Sequence, residues 1–223
     1  MAESCLLYYI TDRTAFPGDE LSRRNRLLSK IAEAARAGVN YIQLREKDLP
    51  TREFESLARE AVAVIAQLRT ENREQATALL INSRCDIALA VQADGVHLRG
   101  DDISPEEAKA IWGECGAGAP ARANSPRVPT IGVSCHSPAE VAQAAANGAL
   151  LTTFSPVFEK GDARPTGLGR LREACLEKIP VLALGGVTLE NAHTCLDAGA
   201  AGIAAIRLFQ ENNVASIVKH LRG

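Results

Sequence analysis

Short apolar runs that end in charge or amide recur along the chain, and stretches with helical spacing separate them. The clearest are Tyr41-Ile42-Gln43-Leu44-Arg45-Glu46-Lys47, Leu80-Ile81-Asn82-Ser83-Arg84 and Val96-His97-Leu98-Arg99-Gly100-Asp101-Asp102. Runs of this kind, bounded by polar clusters and alternating with helices, are the pattern of a parallel sheet buried on both faces. The pattern predicts strands at 6–11, 41–45, 79–82, 95–98, 130–134, 150–154, 181–184 and 202–206. Helices are predicted at 21–37, 51–68, 85–91, 168–177, 190–198 and 214–221, with two more opening after Ser104 and Ser137. Those two openings, Ser104-Pro105-Glu106-Glu107 and Ser137-Pro138-Ala139-Glu140, combine a capping serine, a proline at the first helical position and a glutamate three residues on. Gly38 follows the first helix, where a left-handed residue is wanted.

Eight strand–helix units in a row predict a single (β/α)₈ TIM barrel over residues 1–223. The competing arrangement is an open doubly wound sheet. Similar Gly-Ala turns before several strands (Ala37-Gly38, Asn147-Gly148-Ala149, Ala198-Gly199-Ala200-Ala201-Gly202) read as one repeated unit and favour the barrel. The segment 113–127, rich in Gly, Ala, Pro and Ser, is expected to be a surface loop between the fourth helix and the fifth strand.

Composition narrows the function classes. A net charge of -2 and an aromatic content of 4% give neither the basic footprint nor the stacking platforms of a nucleic-acid binder. No apolar run has the length of a membrane span, and the first residues lack the pattern of a secretory signal, so a cytoplasmic protein is expected. The six cysteines are scattered without a C-x-x-C pair, which predicts reduced core thiols and no zinc cluster. A homo-oligomer is compatible with the sequence.

In a barrel, the polar residues after the strands build the site. Arg45, Lys47, Asn82 and Asp102 are then expected to meet at one mouth, where two cations and an acid point to an anionic, metal-bound substrate. Residues two apart in a strand share a face, so Gln43, Arg45 and Lys47 are expected to look into the mouth, with Leu44 and Glu46 turned away. The alternative is a solvated rim in which these cations pair with Glu46 and Asp48. Asn82 and Asp102 offer oxygen ligands of the kind magnesium prefers, with Asp101 either a substitute or simply exposed. His97 is either a hydrogen-bonded structural residue or a catalytic one. Ser134 and His136 lack an oriented third group, so Ser134 reads as a hydrogen-bond donor to a bound anion rather than a nucleophile. Leu184-Gly185-Gly186-Val187-Thr188 reads as strand, glycines and helix start, which is either a phosphate cup or a tight turn. Ile206 and Arg207 end the last strand and are placed to complete that cup, with Arg207 aimed at the phosphate or outward.

These motifs, QLREK at 43–47, IN at 81–82, DGVHL and its following DD at 94–102, IGVSCH at 131–136, SPVF at 155–158 and LGGVT at 184–188, resemble the thiamine-phosphate synthases and the related TenI-like thiazole tautomerases. The resemblance covers nearly the whole chain. It implies a (β/α)₈ transferase that joins hydroxymethylpyrimidine diphosphate to thiazole phosphate and releases pyrophosphate. It further implies a dissociative path, in which diphosphate leaves with the help of magnesium and the thiazole nitrogen captures a pyrimidine-methyl cation. By position, Gln43, Arg45, Lys47 and Asn82 would hold the diphosphate substrate, and Arg45, Lys47 and Ser134 would be the catalytic groups, with Ser134 on the pyrimidine side. Asp102 would ligate Mg²⁺, with Ser83 or Asp101 as further candidates, and Gly185, Gly186, Ile206 and Arg207 would bind the thiazole phosphate. Two positions depart from the synthase pattern. Ser83 stands where a second carboxylate is expected, which weakens a magnesium site. The segment 159–167 replaces a Thr-x-Thr-Lys run, with Lys160 or Arg164 as the nearest charges, and its Gly and charge content suits a lid over 159–169. VFEK and GLGRL look closer to the tautomerases, whereas Pro156 matches the synthases. The alternative activities are therefore a thiazole tautomerase or a non-catalytic phosphate-ligand binder.

Overall fold

A computed structural model of the protein describes residues 5–72, 77–116, 128–159 and 164–223. Eight parallel strands close into a barrel in sequence order, with β8 returning to pair with β1. The strands are β1 (Leu6–Ile10), β2 (Tyr41–Leu44), β3 (Ala78–Asn82), β4 (Gly95–Leu98), β5 (Thr130–Cys135), β6 (Leu151–Phe154), β7 (Val181–Ala183) and β8 (Gly202–Ala205). The intervening helices are α1 (Glu20–Arg36), α2 (Thr51–Glu71), α3 (Cys85–Ala90), α4 (Pro105–Gly116), α5 (Pro138–Ala146), α6 (Gly167–Ala174) and α7 (Leu189–Asp197). Closure excludes the open doubly wound sheet.

Strand alternation produces two cores. Tyr8, Ile10, Leu80, Leu151, Leu182 and Ala204 fill the barrel interior. Their chain neighbours Leu7, Tyr9, Leu79, Ile81, Val181 and Ile203 face the helix layer. Both helix-start signals form as expected. The Ser104 hydroxyl accepts from the Glu107 N–H while the Glu107 carboxylate accepts from the Ser104 N–H; the Ser137 hydroxyl likewise accepts from the Glu140 N–H, but there the Glu140 carboxylate accepts from the His136 N–H and the Ser137 hydroxyl.

The ends of elements shift by a few residues. The fourth helix continues to Gly116, so the first four residues of the expected 113–127 loop are helical, while 117–127 lies outside the described residues. Two short elements escaped the periodicity. A 3₁₀ turn at Arg13–Ala15 follows β1, and α8 (Arg207–Glu211) precedes the closing helix α9 (Val214–Arg222). With 5 residues, α8 is too short to show a helical repeat, and burial of Leu208 and Phe209 holds it in place. Among the described residues no helix is long and apolar enough to cross a membrane.

Candidate active site

The tip of β2 is set by a buried ionic cluster beneath it. Arg13 is 3% exposed and binds Asp48 through two nitrogens at 2.7 and 2.8 Å, Glu20 at 2.6 Å and Glu46 at 3.3 Å. Glu46 also accepts from the Thr11 hydroxyl at 2.6 Å and from the Arg13 N–H at 2.9 Å. Thr11 in turn accepts from the backbone N–H of Arg45 at 2.9 Å. Hydrogen bonding to Asp48 raises the Arg13 guanidinium above its ordinary range, whereas burial pushes the Glu46 carboxyl up. Glu46 and Asp48 are thus both engaged by Arg13.

With Glu46 anchored outward, Gln43, Arg45 and Lys47 all line one cavity of about 480 Å³ at the carboxyl ends of the strands. Asn82, His97 and Ser134 share it. The Gln43 amide donates to the Asn82 side-chain carbonyl at 3.3 Å, and the Asn82 amide donates to the Ser83 hydroxyl at 3.2 Å. Ser83 has φ +60°, a left-handed conformation that carboxylate and amide residues tolerate better than serine.

Beneath Ser134 runs a polar chain inside the barrel. The Tyr8 hydroxyl lies 2.9 Å from His97 Nδ1, and His97 Nε2 lies 2.9 Å from Ser134 Oγ. Burial depresses His97 from 6.5 to about 3, so the ring is neutral, and burial raises Tyr8 well above its ordinary value. Gly132 is paired with His97 in the sheet register, and a Cβ there would come within 2.6 Å of Nδ1.

A second cavity of about 760 Å³ adjoins the first and is lined by Gly185, Gly186, Ile206, Arg207 and again Arg45. Both glycines have positive φ, +92° and +67°. A Cβ on Gly186 would come within 2.6 Å of the Glu159 carbonyl oxygen, and one on Gly185 within 2.7 Å of Pro156 Cα. The turn therefore requires glycine on conformational and steric grounds alike. Behind it, Thr188 and Asn191 form the capping box of α7, and the Asn191 amide donates to the Gly186 carbonyl at 3.0 Å.

The acidic residues are arranged differently from the expectation. The Asp102 carboxylate accepts from the Arg99 backbone N–H at 2.7 Å and faces the Arg99 guanidinium at 3.5 Å. Asp101, mostly exposed, pairs with the same guanidinium at 3.1 Å, and it is Asp101 and Arg99, not Asp102, that line the first cavity. Among the described residues no three His, Cys, Asp or Glu side chains assemble a metal cage. The donor set of a serine hydroxyl, an amide already engaged twice and two carboxylates facing a guanidinium does not fit a resident divalent cation.

Residues 160–163, including Lys160, lie outside the described residues. Arg164 is described and exposed, and Thr166 is pinned by its N–H and hydroxyl to the Pro156 carbonyl at 2.7 and 2.8 Å. Sequence reasoning missed Tyr8, Thr153 and Arg99. The signal for Tyr8 was its alternation with Leu6 and Ile10, which places a phenol inside the barrel.

The thiamine monophosphate synthase family model matches residues 7–209. The chain belongs to the thiamine monophosphate synthase family. It is 38% identical over 209 residues to a putative thiamine-phosphate synthase 2 of Aquifex aeolicus, covering 92% of this chain and 97% of that one. It is likewise 38% identical to the thiamine-phosphate synthase of Syntrophomonas wolfei, over 90% of this chain and 86% of the relative. Among solved structures, thiamine phosphate pyrophosphorylase from Pyrococcus furiosus superposes with a TM-score of 0.74 at 32% identity, over 99% of this chain and 95% of that one. The synthase-like transferase expected from the motifs is thus the chemistry of this family member.

Proposed function

We propose that the two adjoining cavities are the two halves of one bisubstrate site, the first for hydroxymethylpyrimidine diphosphate and the second for thiazole phosphate. The observation that carries this reading is that Arg45 lines both. Its planar fork suits phosphate oxygens, and Lys47 adds a mobile point charge beside it. Gln43 and Asn82 supply amides to the diphosphate substrate, and Ser134 a hydroxyl to its pyrimidine side. The glycine turn at 185–186 offers backbone N–H groups to the second phosphate, with Ile206 and Arg207 closing the opposite wall. The N–H groups of Gly185 and Gly186 donate to no backbone carbonyl among the described residues, which leaves them for a ligand.

In this reading the bond between the pyrimidine methylene and the diphosphate oxygen breaks, and its electron pair leaves with the diphosphate. The thiazole nitrogen lone pair forms the new carbon–nitrogen bond. The protein holds both partners in line and sets fixed positive charge where the leaving group develops its negative charge. Magnesium, in the same reading, arrives with the diphosphate as part of the substrate rather than as a resident ion.

Arg45→Ala removes charge-assisted hydrogen bonds of roughly 1.5–3 kcal/mol, so affinity for the pyrimidine diphosphate is expected to fall roughly tenfold or more. Affinity for thiazole phosphate is expected to fall in the same variant, because the guanidinium borders both cavities. Isothermal titration with each ligand separately checks both effects. Unchanged affinity for the diphosphate would mean that the face of β2 is misassigned.

A further inference from the structure

The hydroxyl of Tyr8 is 0% exposed inside the barrel, and His97 Nδ1 is its hydrogen-bond partner. A phenol has one proton to donate, and a buried donor left without an acceptor costs about 1–3 kcal/mol. If Nδ1 carried the ring proton, the phenol proton would be stranded. Tyr8 therefore donates and Nδ1 accepts. The neutral ring must then carry its proton on Nε2, which donates to Ser134 Oγ at 2.9 Å. The hydroxyl of Thr153 also approaches Nε2, but at 3.5 Å, the limit of a hydrogen bond, so it does not decide the direction. Accepting from Nε2–H engages one of the two lone pairs of Ser134 Oγ and leaves its own proton for the cavity it lines.

We infer that Tyr8 and His97 are positioning residues, which act through Ser134 to aim its hydroxyl proton toward a lone-pair-bearing atom of the substrate. The chain crosses three strands, β1, β4 and β5, and the packing fixes it. Gly132 leaves room for the ring, and the Tyr8 and His97 rings meet at a tilt of 59° with their centroids 5.5 Å apart. Ser134 thereby offers its proton to an acceptor at that point of the first cavity. The identity of the substrate rests on the transferase reading; the direction of the hydrogen bonds does not.

The direction is read by two-dimensional NMR of the ¹⁵N-histidine-labelled protein at neutral pH. The expected spectrum shows the buried ring, assigned by its loss in His97→Gln, protonated at Nε2 and bare at Nδ1. A ring protonated at Nδ1 overturns the inference whatever the protein catalyses. The consequence is read with Tyr8→Phe, which removes the phenol proton and leaves the fold's packing. KM for the pyrimidine diphosphate is expected to rise roughly three- to tenfold, the worth of one hydrogen bond. The affinity for thiazole phosphate, bound in the other cavity, is expected to stay unchanged. In Ser134→Ala the further change Tyr8→Phe is expected to add nothing, since the two act as one unit. Equal losses for both ligands, or full additivity of the two substitutions, would mark Tyr8 as merely structural. Absence of turnover in the wild type would count against the transferase reading and would leave the NMR result to decide the tautomer.

Discussion

Replacing Arg13 by alanine is expected to cost the folded protein about 3–5 kcal/mol. The side chain is buried, and the side chain of Glu46 beside it is 1% exposed. Removal of the guanidinium leaves Glu46 inside the protein with only the Thr11 hydroxyl and the Arg13 backbone N–H as donors. The exposed Asp48 and Glu20 contribute little to this figure, because water screens them. Urea unfolding at pH 7 measures the loss. Glu46→Gln in the same background is expected to recover part of it, since the amide carries no charge to strand. A loss under about 1 kcal/mol would show that the cluster is solvated and does not hold the tip of β2. The same variant should weaken diphosphate binding, because Thr11, tied to Glu46, also holds the backbone N–H of Arg45.

The second large effect is acid sensitivity through His97. Its folded pKa is depressed from 6.5 to about 3 by burial. Between those values the unfolded chain takes up a proton that the folded ring refuses. The stability is therefore complete above about pH 6.5 and is lost progressively as pH falls toward 3. Lowering the pH from 7 to 5 is expected to remove about 2 kcal/mol through this one residue. Glu46, raised by burial, acts in the opposite sense, since its folded form binds the proton more readily as pH falls. Denaturant unfolding of the wild type and of His97→Gln at the two pH values isolates the histidine term. A slope between pH 7 and 5 that is the same in both proteins would contradict the neutral buried ring.

Much of this architecture was legible in the sequence because two periodicities wrote it. Alternation within each strand placed Gln43 inward between Ile42 and Leu44, and the order of apolar runs announced eight units. The capping serines at 104 and 137 fixed where helices begin. The glycine turn at 185–186 was legible as a pair of glycines ahead of a helix, although its necessity is visible only from what a Cβ would strike. What stayed hidden depended on contacts between distant residues. Nothing local in Arg13 says that it will be buried among three carboxylates contributed by other segments. Nothing local in Tyr8 or His97 says that 89 residues apart they will share a hydrogen bond. Asp102 was expected to face a metal, yet the turn after β4 folds its carboxylate back onto the Arg99 N–H, a short-range competition that side-chain type alone does not settle. The segment of α8 was too brief for a repeat to show.

Purified protein incubated with both hydroxymethylpyrimidine diphosphate and thiazole phosphate, with products followed by mass spectrometry and by pyrophosphate release, addresses the shared site directly. Two joined cavities bordered by one guanidinium predict thiamine phosphate and pyrophosphate in equal amounts, and neither when either substrate is omitted. Correctly folded protein that yields no thiamine phosphate with any divalent cation present would contradict the account.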